Sequence, residues 1–126
     1  MARLNFCIFC EYSLVSKQGT PSFIGVFSEV IVKKLPATRG RMDVVVNFFP
    51  DDINKHDLIV VVKSPDGGTV KSFPNHVTPA ASKESDVGFM LAISNIKFEK
   101  EGIYNFEILL DNNKIGTVPL TIKIEK

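Results

Sequence analysis

The chain has no tryptophan, only two tyrosines and two cysteines, and almost no net charge. Each shortage excludes something. Two cysteines in 126 residues cannot frame a disulfide-stapled miniprotein, and at this length an ordinary core needs no such staples. The formal charge of +1, from 15 basic and 14 acidic side chains, lacks the basic excess on which phosphate-driven binding depends, so no nucleic-acid partner is expected. No run approaches the roughly 20 apolar residues that span a bilayer, so no membrane role is expected. The N-terminal stretch Leu4 to Cys10 is interrupted by Asn5, closed by Glu11 and followed by no small-x-small cleavage site. The cytoplasm is therefore the expected compartment, with both thiols reduced.

Helical periodicity is missing as well. What is present is period-two alternation, the mark of a strand with one face on a core. It is clearest at 42–48 and returns at 104–110 and 118–124. Turn chemistry punctuates it: Gly19-Thr20-Pro21, Pro50-Asp51-Asp52, Pro65-Asp66-Gly67-Gly68 and Asp111-Asn112-Asn113. The pattern predicts eight strands, at 4–14, 23–33, 41–49, 57–64, 69–74, 87–96, 103–110 and 115–125. A long connection over 75–86 has room for a short helical turn. No repeat, linker or low-complexity tract divides residues 1–126, which read as a single domain: an all-β, antiparallel sandwich of immunoglobulin-like or C2-like Greek-key type. Ten phenylalanines, which carry no polar handle, read as core filler.

Two local patterns sharpen the fold. Gly102-Ile103-Tyr104-Asn105-Phe106 resembles the start of strand F in immunoglobulin-like sandwiches, where a Tyr bonds back to the backbone and the residue two further on packs between the sheets. Phe106 stands where antibody domains place a cysteine, and tryptophan is missing, so an antibody-type domain is excluded. Further upstream, Cys10-Glu11-Tyr12-Ser13-Leu14 precedes Gly19, then Phe23-Ile24-Gly25-Val26-Phe27, then Pro36-Ala37 and the strand after Arg41. This series resembles an uncharacterised family of small bacterial proteins, catalogued as a domain of unknown function. The resemblance implies a bacterial cytosolic β domain and supplies no catalytic residues.

Cys7-Ile8-Phe9-Cys10 has the spacing of a redox pair or half a zinc site. In a strand, side chains three apart point to opposite faces, so two packed thiols are the simpler reading, with Cys10 inward and Cys7 outward. His56 and His76 stand singly, and no nucleophile-elbow motif accompanies them, so no catalytic residue, metal or cofactor is assigned. If every connection reverses the chain, the loops near 15–22, 50–56, 75–86 and 111–114 share one end. Asp51, Asp52, Glu84, Asp86 and Asp111 would then gather there, as calcium ligands or simply as turn formers. At the other end Arg39-Gly40-Arg41, on a flexible turn, could grip a phosphate or carboxylate, or merely be solvated.

The most informative feature is apolar side chains on strand faces expected to meet water. Taking even positions of 4–14, 41–49 and 57–64 as inward, the outward set includes Cys7, Phe9, Val45, Phe49, Ile59 and Val61, with Phe27 and Ile31 ambiguous. So many would mark a protein interface, in a homodimer or with an unidentified partner. A loop covering that face, or a bulge that switches parity, would bury some of them instead. The functional expectation is a non-enzymatic binding or assembly module acting through a protein interface. The alternative is a ligand- or calcium-binding protein, or an enzyme, with its site in the loops at one end.

Overall fold

The computed structural model describes residues 2–126. Nine strands follow one another: β1 Arg3–Val15, β2 Pro21–Phe27, β3 Glu29–Val32, β4 Ala37–Phe49, β5 His56–Lys63, β6 Thr69–Val77, β7 Val87–Phe98, β8 Gly102–Leu110 and β9 Asn113–Ile124. Among the described residues no helix forms, and the connection over 75–86, which had room for a helical turn, is the end of β6 followed by bends and turns. Two sheets pack face to face, one ordered β2-β1-β4-β7 and the other β3-β9-β8-β5-β6. All pairings are antiparallel except β3 against β9. With β1, β4 and β7 as strands A, B and E, and β5, β8 and β9 as C, F and G, this is the immunoglobulin-type arrangement. The first β strand also forms a hairpin with β2, an addition to that plan.

Seven of the eight expected strands occur near their expected limits. The segment 23–33 is two strands, because the chain turns at Ser28 and changes sheets. The Ser28 carbonyl accepts a hydrogen bond from the Thr121 amide at 3.1 Å, and β3 then runs alongside β9. Gly25, at φ 69°, bends β2 just before this switch. The added reversal has a consequence for the loops. The loops 50–55, 78–86 and 111–112 share one end of the sandwich, whereas β1 enters the 15–21 hairpin from the side where β4 starts.

The core is filled by alternate residues from both sheets, including Met42, Val44, Val46 and Phe48 of β4, Leu58, Val60 and Val62 of β5, and Tyr104, Phe106 and Ile108 of β8. Tyr104 forms the expected corner. Its buried hydroxyl donates to the Lys100 carbonyl at 3.0 Å and accepts from the Lys100 amide at 3.1 Å. Its ring meets Phe98 edge to face at 5.0 Å.

In β1 the inward side is odd-numbered, not even. Phe9 is 2% exposed and packs edge to face on Phe106 at 4.8 Å, while its strand neighbour opposite is the buried Val44. Cys7 also packs against the core. Cys10, opposite Asp43, lies on the outer face. Both parities of 6–10 are apolar, so alternation offers no polar side to mark the solvent face; only pairing with β4 decides.

Candidate functional site

Beyond Cys10 the hairpin of β1 and β2 loses its β4 partner and bends back over the outer face of its own sheet. Three contacts hold it there. The Ser13 amide and hydroxyl both donate to one oxygen of Asp43, at 2.8 and 2.7 Å. Tyr12 lies beneath the Arg41 guanidinium, 4.7 Å from the ring centroid. Phe23 meets Phe6 edge to face at 6.4 Å. Asp43 is almost fully buried, and burial alone would raise its pKa. Hydrogen bonds from Ser13 and Arg41 outweigh that cost and hold it below the usual carboxylate value.

This arrangement disperses the expected interface residues. Phe9 is in the core, and Val45, on the outer face opposite Ile8 and Met90, is only 3% exposed. Phe27 is half-buried between Phe9, whose ring stacks on it at 6.3 Å, and the Arg39 guanidinium at 4.5 Å. Phe49 is half-buried beneath Arg3, at 4.3 Å. Ile59 and Val61 do point outward, but from the other sheet, half-buried, Ile59 between Leu109 and Pro74 and Val61 between Glu107 and Ser72. The six therefore form no common patch. The parity assumed for β1 and the folded-over hairpin together account for this.

Exposed apolar surface is concentrated elsewhere. Of ten large apolar side chains exposed among the described residues, six belong to this hairpin: Phe6, Tyr12, Leu14, Val15, Ile24 and Val26. Ile24 and Val26 lie on β2, a sheet edge of seven residues without a single charge. The uncharged run Pro21–Phe27 was visible in the sequence; its edge position was not.

Arg39 and Arg41 are not on a flexible turn, since β4 begins at Ala37. Nor do they act together. Arg41 is occupied by Asp43, at 3.3 Å from Nε, and by Tyr12. Arg39 sits opposite Ile96, a buried residue of β7, and opposed residues of an antiparallel pair share a face. On β7 both Ile93 and Ile96 are buried, an odd separation that requires the strand to switch parity. Asn95, at φ 57°, makes that switch. Arg39 is thereby turned inward, toward a recess of about 400 Å³ lined by Val30, Val32, Ala37, Thr38 and Phe98 among others.

At the opposite end, His56 is held between two carboxylates. Its Nε2 meets Asp52 Oδ1 at 2.7 Å and its Nδ1 meets Asp111. The Asp57 amide donates to Asp111 at 2.9 Å, and the Asn54 amide to Asp52 at 3.0 Å. Burial pulls the imidazole pKa down, but the two carboxylates more than reverse this and raise it above 6.5. With both ring nitrogens facing carboxylates, the ring ties the 50–55 and 111–112 turns together, and neither nitrogen is left free to serve as a base. The other expected carboxylates are likewise dispersed: Asp51 pairs with Arg3, Asp86 accepts from Asn47, and Glu84 is exposed. Among the described residues no three or more His, Cys, Asp or Glu are grouped to hold a metal. The two thiols are unpaired; burial pushes Cys7 up to about 12, and burial with the nearby Asp43 charge raises Cys10.

No curated protein matches the chain. Among solved structures, the alkylpurine DNA glycosylase AlkC of Pseudomonas fluorescens, bound to DNA containing an abasic site analog, aligns over 97% of this chain with a TM-score of 0.59 and 4% identity. The chain spans only 30% of that glycosylase. The C-terminal domain of Wzt aligns over 99% of this chain and 74% of its own, with a TM-score of 0.53 and 11% identity. An immunoglobulin-like protein from Pseudomonas aeruginosa aligns over 98% and 97%, at 12% identity, with a TM-score of 0.48 that is too low to carry weight. At these identities the first two likenesses show the fold alone. A family model describes residues 5–123, nearly the whole sandwich, and the chain therefore belongs to the family of unknown function DUF6941.

Proposed function

We propose that the chain is a non-catalytic binding and assembly domain whose contact surface is the β1–β2 hairpin, and that its simplest partner is a second copy of itself. The observation that carries this is the gathering of six exposed apolar side chains around an uncharged sheet edge. Natural edge strands are normally blunted by charges, bulges or covering segments. Among the described residues, Pro21 and the Gly25 bend are the only such devices on β2. Pairing β2 with β2 of a second copy about a two-fold axis would satisfy both edges at once and close the assembly. The near-zero net charge does not favour a nucleic-acid surface, and two unpaired, poorly ionised thiols suit a reducing, cytoplasmic setting.

Native mass spectrometry of the full chain at micromolar concentration tests the reading. A dimer is expected for the parent, and a folded monomer for the Ile24→Lys, Val26→Glu double variant, with the β-sheet circular dichroism retained. A parent that is monomeric throughout would overturn self-pairing through β2.

A further inference from the structure

We propose that the Arg39 recess is a binding site for a small organic carboxylate carried on an apolar body, a site separate from the hairpin surface. The guanidinium is fixed before any ligand arrives. Its stem is turned inward by the parity switch at Asn95, and its plane rests on the Phe27 ring at 4.5 Å. Among the described residues it makes no ion pair, and its Nε is shielded from solvent without a hydrogen-bond partner. The terminal nitrogens, unlike the shielded Nε, stay open to solvent, and a fork held in place with no protein acceptor offers them to an acceptor from outside.

The surroundings define the rest of the ligand. Val30, Val32, Ala37 and Phe98 supply an apolar side, while Thr38, Gly40 and Arg41 make the rest of the lining polar. The recess is an open cleft between β3 and β4, strands of different sheets. Lys33 and Lys34, in the turn joining those strands, add positive charge beside it. Arg41 also borders the recess, but it is paired with Asp43, leaving Arg39 as the lining guanidinium without a carboxylate. A carboxylate fits this better than a phosphate: it accepts two parallel N–H bonds from a single guanidinium and brings less charge into a partly apolar cleft.

Hexanoate is a suitable probe, titrated into the full chain and followed by amide chemical shifts. Saturable changes are expected at residues 30–32, 37–41 and 98, at millimolar concentration. Hexanol should produce none at the same concentration, and inorganic phosphate should bind at least tenfold more weakly. Arg39→Met keeps a stem of similar length over Phe27 and should weaken hexanoate at least tenfold. Acetyl-Val-Phe with a free carboxylate, compared with its amide, separates a peptide terminus from a free acid as the source of the group: tighter binding than hexanoate, lost on amidation, assigns the site to a chain end, and weaker binding assigns it to a free acid. The proposal is overturned if hexanoate gives no saturable change, if hexanol or phosphate matches it, or if Arg39→Met binds it as the parent does. The comparison of hexanoate with hexanol decides the matter on the parent alone, whatever the variant's stability.

Discussion

Single side chains in this sandwich carry unequal weight, and the structure separates them. Phe9 touches Phe27 and Phe106 across the layer, so Phe9→Ala should cost about 3–5 kcal/mol of unfolding free energy in urea titrations. The same truncation at Ile24, which is exposed, should change monomer stability by no more than about 0.5 kcal/mol. His56 supplies a pH dependence whose sign follows from its partners. Its pKa is raised in the folded chain, so its stabilisation is complete below about 6.5, the ordinary histidine value, and is lost as pH rises through the folded value. Asp52 is held low chiefly by His56, and Asp111 by the Asp57 amide and then by His56. Their contributions are therefore present above the ordinary carboxylate value of 3.8 and disappear as pH falls below it. Thermal melting between pH 5 and 9 should show a decline that His56→Gln removes; an identical decline in the variant would remove His56 from the explanation. The gathering of Asp52 and Asp111 at one end was legible from the reversals of the chain, but His56 standing between them was not. Asp52, His56 and Asp111 come from two turns that are distant in sequence, and only the β5–β8 pairing brings them together.

At the scale of elements, the β1–β2 hairpin is the departure from the immunoglobulin plan, and its fold-over depends on a few polar contacts. Asp43 is buried because it receives Ser13 and Arg41, so Asp43→Ala should release the hairpin before it unfolds the sandwich. Amide hydrogen exchange would register this as faster exchange at residues 12–15 and 22–24, with β5 and β8 unchanged. Gly25 is a second control point. Its φ is 69°, and an added Cβ would lie 2.8 Å from the Glu11 side chain. Gly25→Ala should therefore destabilise by about 1–3 kcal/mol, read as a lower melting temperature. The strand pattern itself was readable, because alternation and turn residues act within a few positions. The break at Ser28 was not: residues 23–33 are apolar on both parities, and the event that ends β2 is a change of sheet, which has no local signature.

For the whole molecule, two surfaces come from one topology. The sheet change at Ser28 leaves β2 on an open edge and places β3 across from β4, and the gap between those strands is the Arg39 recess. The two proposals are consequently independent in experiment: charged residues on β2 should abolish dimers without altering hexanoate shifts, and Arg39→Met should do the reverse. The amino-acid order by itself determined the class of fold, the strand limits for seven of the eight expected strands and the Tyr104 corner, since these rest on periodicity and short-range turn chemistry. The tertiary structure alone decided which side of β1 is inside, that Val45 is covered, that Arg41 is paired while Arg39 is not, and that two carboxylates hold His56. Each of those depends on which strand lies beside which, and strand pairing is a long-range choice that a period of two does not encode.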